Sequence, residues 1–244
     1  MGICTTQHGD VVEITLDWPA ARNALGPTEG RELRLALEVA TSDAGAIVLS
    51  ANGKAFCAGG NLPEIVRLAR GGADAVRGTI YGEFQGVFRA IRECPVPVIA
   101  AVDGPAIGFG CDLALAGSAT FIGTNGWIAQ GWIKAGLIPA TGGTLYVRER
   151  SGSQTIWRLL AAERIDGPTA ESWGLAIACD NAREAALQMA ERLAGFPRGP
   201  LKALKQLARI DDPQAHLAAA LNHQVGFITD PSFEDFAAKL LGHR

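Results

Sequence analysis

Two glycine-rich stretches limit what this 244-residue chain can become. The first is Lys54-Ala55-Phe56-Cys57-Ala58-Gly59-Gly60-Asn61-Leu62; the second is Asp103-Gly104-Pro105-Ala106-Ile107-Gly108-Phe109-Gly110-Cys111-Asp112. Each follows a short apolar, β-branched run, Ala46-Ile47-Val48-Leu49 and Pro97-Val98-Ile99-Ala100-Ala101-Val102, of the kind that makes a buried strand. Each precedes a segment that reads as helix. A strand-to-helix turn stripped of side chains lets backbone N–H groups approach one ligand oxygen, with a helix N-terminus behind them. Two such turns side by side can form an oxyanion hole. Either turn alone is equally a tight corner of an α/β fold.

The rest of the chain agrees with alternating strands and helices. Val11-Val12-Glu13-Ile14-Thr15-Leu16 alternates and predicts a half-buried strand. Thr28 to Val39 predicts an amphipathic helix capped by a polar residue after Pro27. Leu62 to Arg92 reads as two helical pieces broken at Gly71-Gly72, either a flap or a plain loop. Strand Pro97–Val102 leads through the second turn into a helix ending near Ala116. Such alternation predicts right-handed ββα units. Beyond Gly152 the pattern is mostly helical: Thr155–Ala162, Thr169–Trp173, Arg183–Ala194, Pro200–Ile210, Gln214–Phe227 and Ser232–Leu241. Leu217, Leu221, Phe233, Phe236, Leu240 and Leu241 make this tail too apolar for a solvated appendage.

Composition excludes several classes. With 48% hydrophobic and 19% charged residues the chain can bury a sizeable core, and a net charge of −3 offers no basic footprint for nucleic acid or an anionic membrane. No apolar run is long enough to span a membrane, and the N-terminus lacks a secretory pattern. The five scattered cysteines have neither disulfide-scaffold nor metal-site spacing, which predicts reduced thiols in a cytoplasm. His8, His216, His223 and His243 lie away from the glycine stretches, so no metal site or Ser-His-Asp site is expected.

The wording of the two stretches is similar to the two signatures of the crotonase (enoyl-CoA hydratase/isomerase) superfamily, Ala-Phe-x-Ala-Gly-Ala-Asp-Leu being the first. Arg22-Asn23-Ala24-Leu25 and Gly136-Leu137-Ile138-Pro139-Ala140-Thr141-Gly142-Gly143-Thr144 resemble it too, in the family's order, over about Val11 to Gly152. The resemblance implies an α/β fold, a crotonase-like spiral of ββα units over 1–195. A helical C-terminal region over 196–244 would pack on that core and mediate trimerisation, with trimers often paired. It implies an acyl-CoA thioester substrate, coenzyme A arriving as part of that substrate and no separate cofactor. The thioester oxygen would be held by the backbone N–H groups of Gly60 and Phe109. The family's CoA contacts map onto Arg22, Ala24, Ala58, Gly60, Asn61 and Leu62, with Lys54, Lys202 and Lys239 as candidates for its phosphates and Phe236 for its adenine. Phe109 stands where glycine or alanine is usual, and its ring either narrows the acyl pocket or faces the core.

The acid–base positions depart from the pattern. Hydratases of the family use two glutamates; the first falls on Asp112 and the second on Trp132. An indole N–H is only a donor and cannot act as a base. Tryptophan here resembles the halobenzoyl-CoA dehalogenases, but Ala140 occupies the place of their nucleophilic aspartate. That disfavours a dehalogenase, and equally a dienoyl-CoA isomerase. Trp132 can also simply fill the acyl pocket. Glu64 and Glu83 are the carboxylates that could substitute, and Asp103 reads as a structural turn contact. The expectation is an acyl-CoA enzyme with Asp112 as principal acid/base, double-bond isomerisation fitting better than hydration, and hydrolysis or decarboxylation open. The alternative is a non-catalytic acyl-CoA or acyl-carrier binding protein.

Overall fold

The structure, a computed structural model, describes residues 2–240, apart from the side chains of Asp43, Phe236 and Leu240. Leu241 and His243 therefore lie outside the described residues, as does the side chain of Phe236. Two compact units divide the chain, Met1–Gly195 and Phe196–Arg244.

The larger unit winds between two sheets. Strand β1 (Gly2–His8) turns at Gly9 into its antiparallel partner β2 (Val11–Asp17), with His8 opposite Val11. Helix α1 (Pro27–Asp43) crosses to β3 (Ala46–Ala51), parallel to β2. Helices α2 (Leu62–Ala69) and α3 (Gly72–Ala75), a π-turn over Val76–Tyr81, and α4 (Gly82–Glu93) lead to β4 (Val98–Val102), parallel to β3. The chain then bends into β5 (Pro105–Ile107) of a second sheet and into α5 (Phe109–Ala116). It repeats the step through β6 (Ala119–Ile122) beside β4 and β7 (Trp127–Ala129) beside β5. This repetition is the ββα spiral. Helices α6 (Gly143–Ser151) and α7 (Gln154–Ala161) follow, then β8 (Ile165–Asp166), α8 (Gly167–Ser172), β9 (Ile177–Ala178) and α9 (Ala182–Ala194). The strand order is β1-β2-β3-β4-β6-β9 in one sheet and β5-β7-β8 in the other.

Both faces of the main sheet are covered. Ile14, Leu16, Ile47, Leu49, Val98 and Ala100 point into the principal core with α1, α4 and α5. Val11, Ala46, Val48, Ile99 and Ala101 meet Ala182, Ala186 and Ala190 of α9 on the opposite face. Alanine at every fourth position gives α9 a smooth face that lies close to the strands. A strand covered on both sides reads as a continuous apolar run, as β3 and β4 do.

Two expectations need correction. β2 is buried on both faces rather than half-buried: Glu13 and Thr15 are hidden because α9 covers the side they point to. Glu13 is satisfied there by Arg183 (2.6 and 2.9 Å), Ser50 (2.6 Å) and His8 (3.0 Å). Burial by itself raises its pKa, but these donors outweigh it and hold the carboxyl below its ordinary value. Helix α1 is capped by Gly26, ahead of Pro27, whose fixed φ suits the first helical position; the Gly26 N–H donates to the Glu29 carboxylate (2.9 Å). The break at Gly71-Gly72 is present, where α2 stops and α3 begins. Asp103 does make a structural contact, accepting from the N–H groups of Ala182 (2.7 Å) and Arg183 (3.0 Å) at the start of α9.

The smaller unit contains α10 (Arg198–Leu207), α11 (Pro213–Ile228) and α12 (Ser232–Leu240). No helix among the described residues is long and apolar enough to cross a membrane.

Candidate active site

Asn23 organises the first loop. Arg22 and Asn23 both adopt positive φ (52° and 54°), a conformation that asparagine tolerates better than most residues. The Asn23 side chain is buried and fully used: its Oδ1 accepts from the Trp18 N–H (2.8 Å), and its Nδ2 donates to the carbonyls of Asn52 (2.9 Å) and Ala55 (2.8 Å). That ties the Arg-Asn-Ala-Leu loop to the first glycine stretch. The two segments then zip together: Ala58 N–H donates to Arg22 O (3.0 Å), Leu25 N–H to Gly59 O (2.9 Å) and Asn61 N–H to Leu25 O (2.8 Å). Arg22, Ala24, Ala58, Gly60, Asn61 and Leu62, expected as the CoA loops, come together in this double-layered strip.

The same stretch is bonded to the second one. Cys57 N–H donates to Pro105 O (3.1 Å) and Ile107 N–H to Cys57 O (2.9 Å). A Cβ on Gly110 would overlap the Cys57 carbonyl, so the first turn of α5 can sit there only with glycine. Gly59 and Gly108 have φ of +113° and +56°, which other residues rarely adopt. The consequence is that Gly60 and Phe109 end neighbouring turns. Neither N–H has a hydrogen-bond partner among the described residues, and that of Phe109 opens helix α5. Two free donors on joined turns suit an oxygen that gains negative charge.

The Phe109 ring faces the core. It is fully buried, edge-on to Phe84 (4.8 Å) and Phe88 (5.1 Å) of α4, so it does not narrow a pocket.

Asp112 lies one turn into α5 and is completely buried. Gln130 Nε2 donates to one carboxylate oxygen (2.8 Å) and the Thr141 hydroxyl to the other (2.5 Å). Tyr146 fixes Thr141 by donating to its carbonyl (2.9 Å). Gly143 makes room, since a Cβ there would overlap the carboxylate. Burial pushes the Asp112 pKa up to about 6, against the lowering effect of Thr141, Gln130 and Trp132. No second carboxylate bears on it among the described residues.

Trp132 opens a 3-10 turn after β7 and is buried. Its indole covers Gly108, with Nε1 3.7 Å from where a Cβ would stand. The N–H is close enough to help hold down the Asp112 pKa, yet it falls short of hydrogen-bond geometry and has no partner. The two substitute carboxylates lie elsewhere. Glu64 accepts from Asn61 Nδ2 (3.4 Å) beside Gly26, and Glu83 pairs with Arg34 (3.4 Å) between α1 and α4.

Sequence reasoning did not single out Gln130, Thr141 or Tyr81. Thr141 sits inside a motif already noticed and Gln130 two residues before Trp132, so their polarity beside an apolar strand was the available signal. Tyr81 ends the π-turn, and its half-buried hydroxyl is raised in pKa by burial and by the Asp112 charge. A π-turn has no periodicity that would advertise it.

The enoyl-CoA hydratase/isomerase family model matches residues 6–243. A probable enoyl-CoA hydratase of Rhodobacter capsulatus is 36% identical over 165 residues, which is 66% of this chain and 62% of that protein. One from Mycobacterium tuberculosis is 33% identical over 243 residues, covering 94% of this chain and 92% of the relative. The crystal structure of an enoyl-CoA hydratase from Polaromonas sp. JS666 superimposes with a TM-score of 0.90 at 30% identity, over 100% of this chain and 98% of that one. With its joined glycine turns and free N–H pair, the chain belongs to the enoyl-CoA hydratase/isomerase family of the crotonase superfamily, and is an enzyme of that type.

Proposed function

We propose that this protein moves a proton along the acyl chain of an enoyl-CoA thioester, using Asp112 as its one carboxylate acid/base. The observation that carries this is that Asp112 is buried beside the glycine turns with no second carboxylate bearing on it among the described residues; by resemblance, Trp132 stands where the family's second acid would be. The thioester oxygen would accept from the N–H groups of Gly60 and Phe109. Asp112 would take the α proton of a 3-enoyl thioester, giving a dienolate whose negative charge rests on that oxygen. The same carboxyl would return the proton to the γ carbon, leaving the conjugated 2-enoyl thioester. One group suffices because it starts and ends ionised.

Hydration is the second reading, favoured by the relatives that carry the name enoyl-CoA hydratase. It requires Asp112 to handle both proton transfers while neutral groups hold the water. The deciding experiment supplies 3-enoyl-CoA and 2-enoyl-CoA separately in deuterated water. Conversion of the first to the conjugated thioester, lost in Asp112→Asn, supports isomerisation. Conversion only of the second to a 3-hydroxyacyl thioester would replace that reading with hydration, and turnover of neither would overturn both. We also place the protein in the cytoplasm as a homotrimer or a pair of trimers, on its scattered cysteines and its apolar C-terminal helices.

A further inference from the structure

Two polar atoms close to Asp112 have no partner. Among buried side-chain polar atoms of the described residues, Gln130 Oε1 and Trp132 Nε1 are the two left without a hydrogen bond. Their residues are 7% and 6% exposed, so bulk water does not satisfy them. An unpaired buried donor or acceptor is costly, and a buried polar group kept that way calls for a ligand or another explanation. One of the two atoms is a donor and the other an acceptor. Both belong to side chains that bear on the same carboxylate: Gln130 through its other amide atom at 2.8 Å, Trp132 through an N–H near enough to lower the Asp112 pKa without completing a hydrogen bond. Trp132 also covers Gly108, immediately before the Phe109 donor.

We infer that Gln130 Oε1 and Trp132 Nε1 form a seat for one neutral O–H group at the reacting end of the acyl chain. The O–H oxygen accepts from the indole and its hydrogen is donated to the amide oxygen. A lone acceptor such as a ketone would leave Gln130 unsatisfied. A carboxylate or phosphate would lie against Asp112 and the Gln130 oxygen, and no cationic side chain bears on Asp112 to offset that. The O–H can come from a hydroxyl on the acyl chain or from a water molecule. In either case Gln130 and Trp132 are positioning residues that set substrate preference, an inference that rests on the acyl-CoA reading above.

The test measures binding first, so that it does not depend on turnover. Calorimetry compares 3-hydroxybutanoyl-CoA with butanoyl-CoA for the wild type, Trp132→Phe and Gln130→Met. A second arm incubates each protein with an unsubstituted 2-enoyl-CoA in ¹⁸O-labelled water and follows label entering the thioester product. An acyl hydroxyl in the seat predicts roughly tenfold or greater preference for the hydroxylated thioester, reduced to near unity in both variants. A seated water predicts ¹⁸O incorporation that drops by about tenfold or more in both variants. Equal affinities with no label uptake overturn the inference, as does either effect surviving both substitutions. Melting curves show which variant is folded, and one folded variant decides. The acyl-CoA reading on which this rests fails on different observations, namely turnover that persists in Asp112→Asn or no acyl-CoA binding at all, whereas ¹⁸O uptake keeps that reading and replaces isomerisation with hydration.

Discussion

An aspartate whose pKa is pushed up to about 6 by burial is protonated more readily in the folded chain than in the unfolded one. The native state therefore binds more protons between its unfolded value near 3.8 and about 6, and stability falls as pH rises through that window. Above pH 6 the ionised carboxylate opposes folding by on the order of 2–3 kcal/mol. Asp112→Asn is expected to lose about 100- to 10,000-fold in turnover with acyl-CoA affinity nearly unchanged. The same variant should gain stability over the wild type at pH 7.5, the gain shrinking towards pH 4; urea denaturation at both pH values checks it. In the wild type, kcat/KM should climb with pH through about 6 and then level off, since the base must be ionised. Phe109 gives a contrasting expectation. Because its ring fills the core beside Phe84 and Phe88, Phe109→Ala should cost about 3–5 kcal/mol while the preferred acyl-chain length stays the same. A broadened substrate profile in a stable variant would show that the ring borders the pocket.

Elements act in pairs here. The two glycine turns form one device, since the Cys57 backbone is bonded on both sides to Pro105–Ile107 and α5 rests on it at Gly110. Gly110→Ala is expected to push α5 off Cys57 and separate the two donors. Losing one such donor costs on the order of 100- to 1,000-fold in kcat. Steady-state kinetics should therefore show a fall in kcat of that size, with destabilisation of about 1–3 kcal/mol from the overpacked junction. A second pairing joins β2 to α9 through Glu13 and Arg183. Arg183→Met leaves a buried carboxylate with Ser50 and His8 alone, and since the guanidinium is half exposed it should cost about 1–3 kcal/mol near neutral pH. Since the Glu13 pKa is lowered by these partners, the stability they contribute is present above its unfolded value near 4.5. It disappears as pH falls through the lower folded value, so the deficit of the variant should narrow in acid.

At the scale of the whole molecule, α11 has no buried residue although it carries Leu217, Leu221, Val225 and Ile228, each at least half exposed. Leu204 of α10 is also exposed, at 62%. An exposed apolar surface of this kind is what the proposed trimer would cover. Light scattering at micromolar concentration should therefore give the mass of a trimer or of two trimers. A monomer mass would remove that proposal without touching the glycine turns or the Asp112 cluster, which lie in Met1–Gly195.

The elements legible from sequence were those whose cause is local. Buried strands β3 and β4, the break at Gly71-Gly72, and the turns at Gly59 and Gly108 follow from backbone freedom and from runs of apolar residues, which neighbours in the chain specify. Short strands such as Pro105–Ile107 and Trp127–Ala129 were not legible, because three residues carry no period and only their pairing makes them strands. The sequence by itself determined the order of the motifs, the glycine turns that lead into Gly60 and Phe109, and the placing of an aspartate at 112 and a tryptophan at 132. Tertiary structure alone decided what surrounds Asp112, since its partners come from 18 and 29 residues away. It also decided that Glu13 is buried, closed over by an arginine 170 residues later, and that the Phe109 ring turns inward. A backbone conformation is set by the sterics of adjacent residues, whereas the partner of a buried polar group is set by which distant segments the spiral brings to the same place.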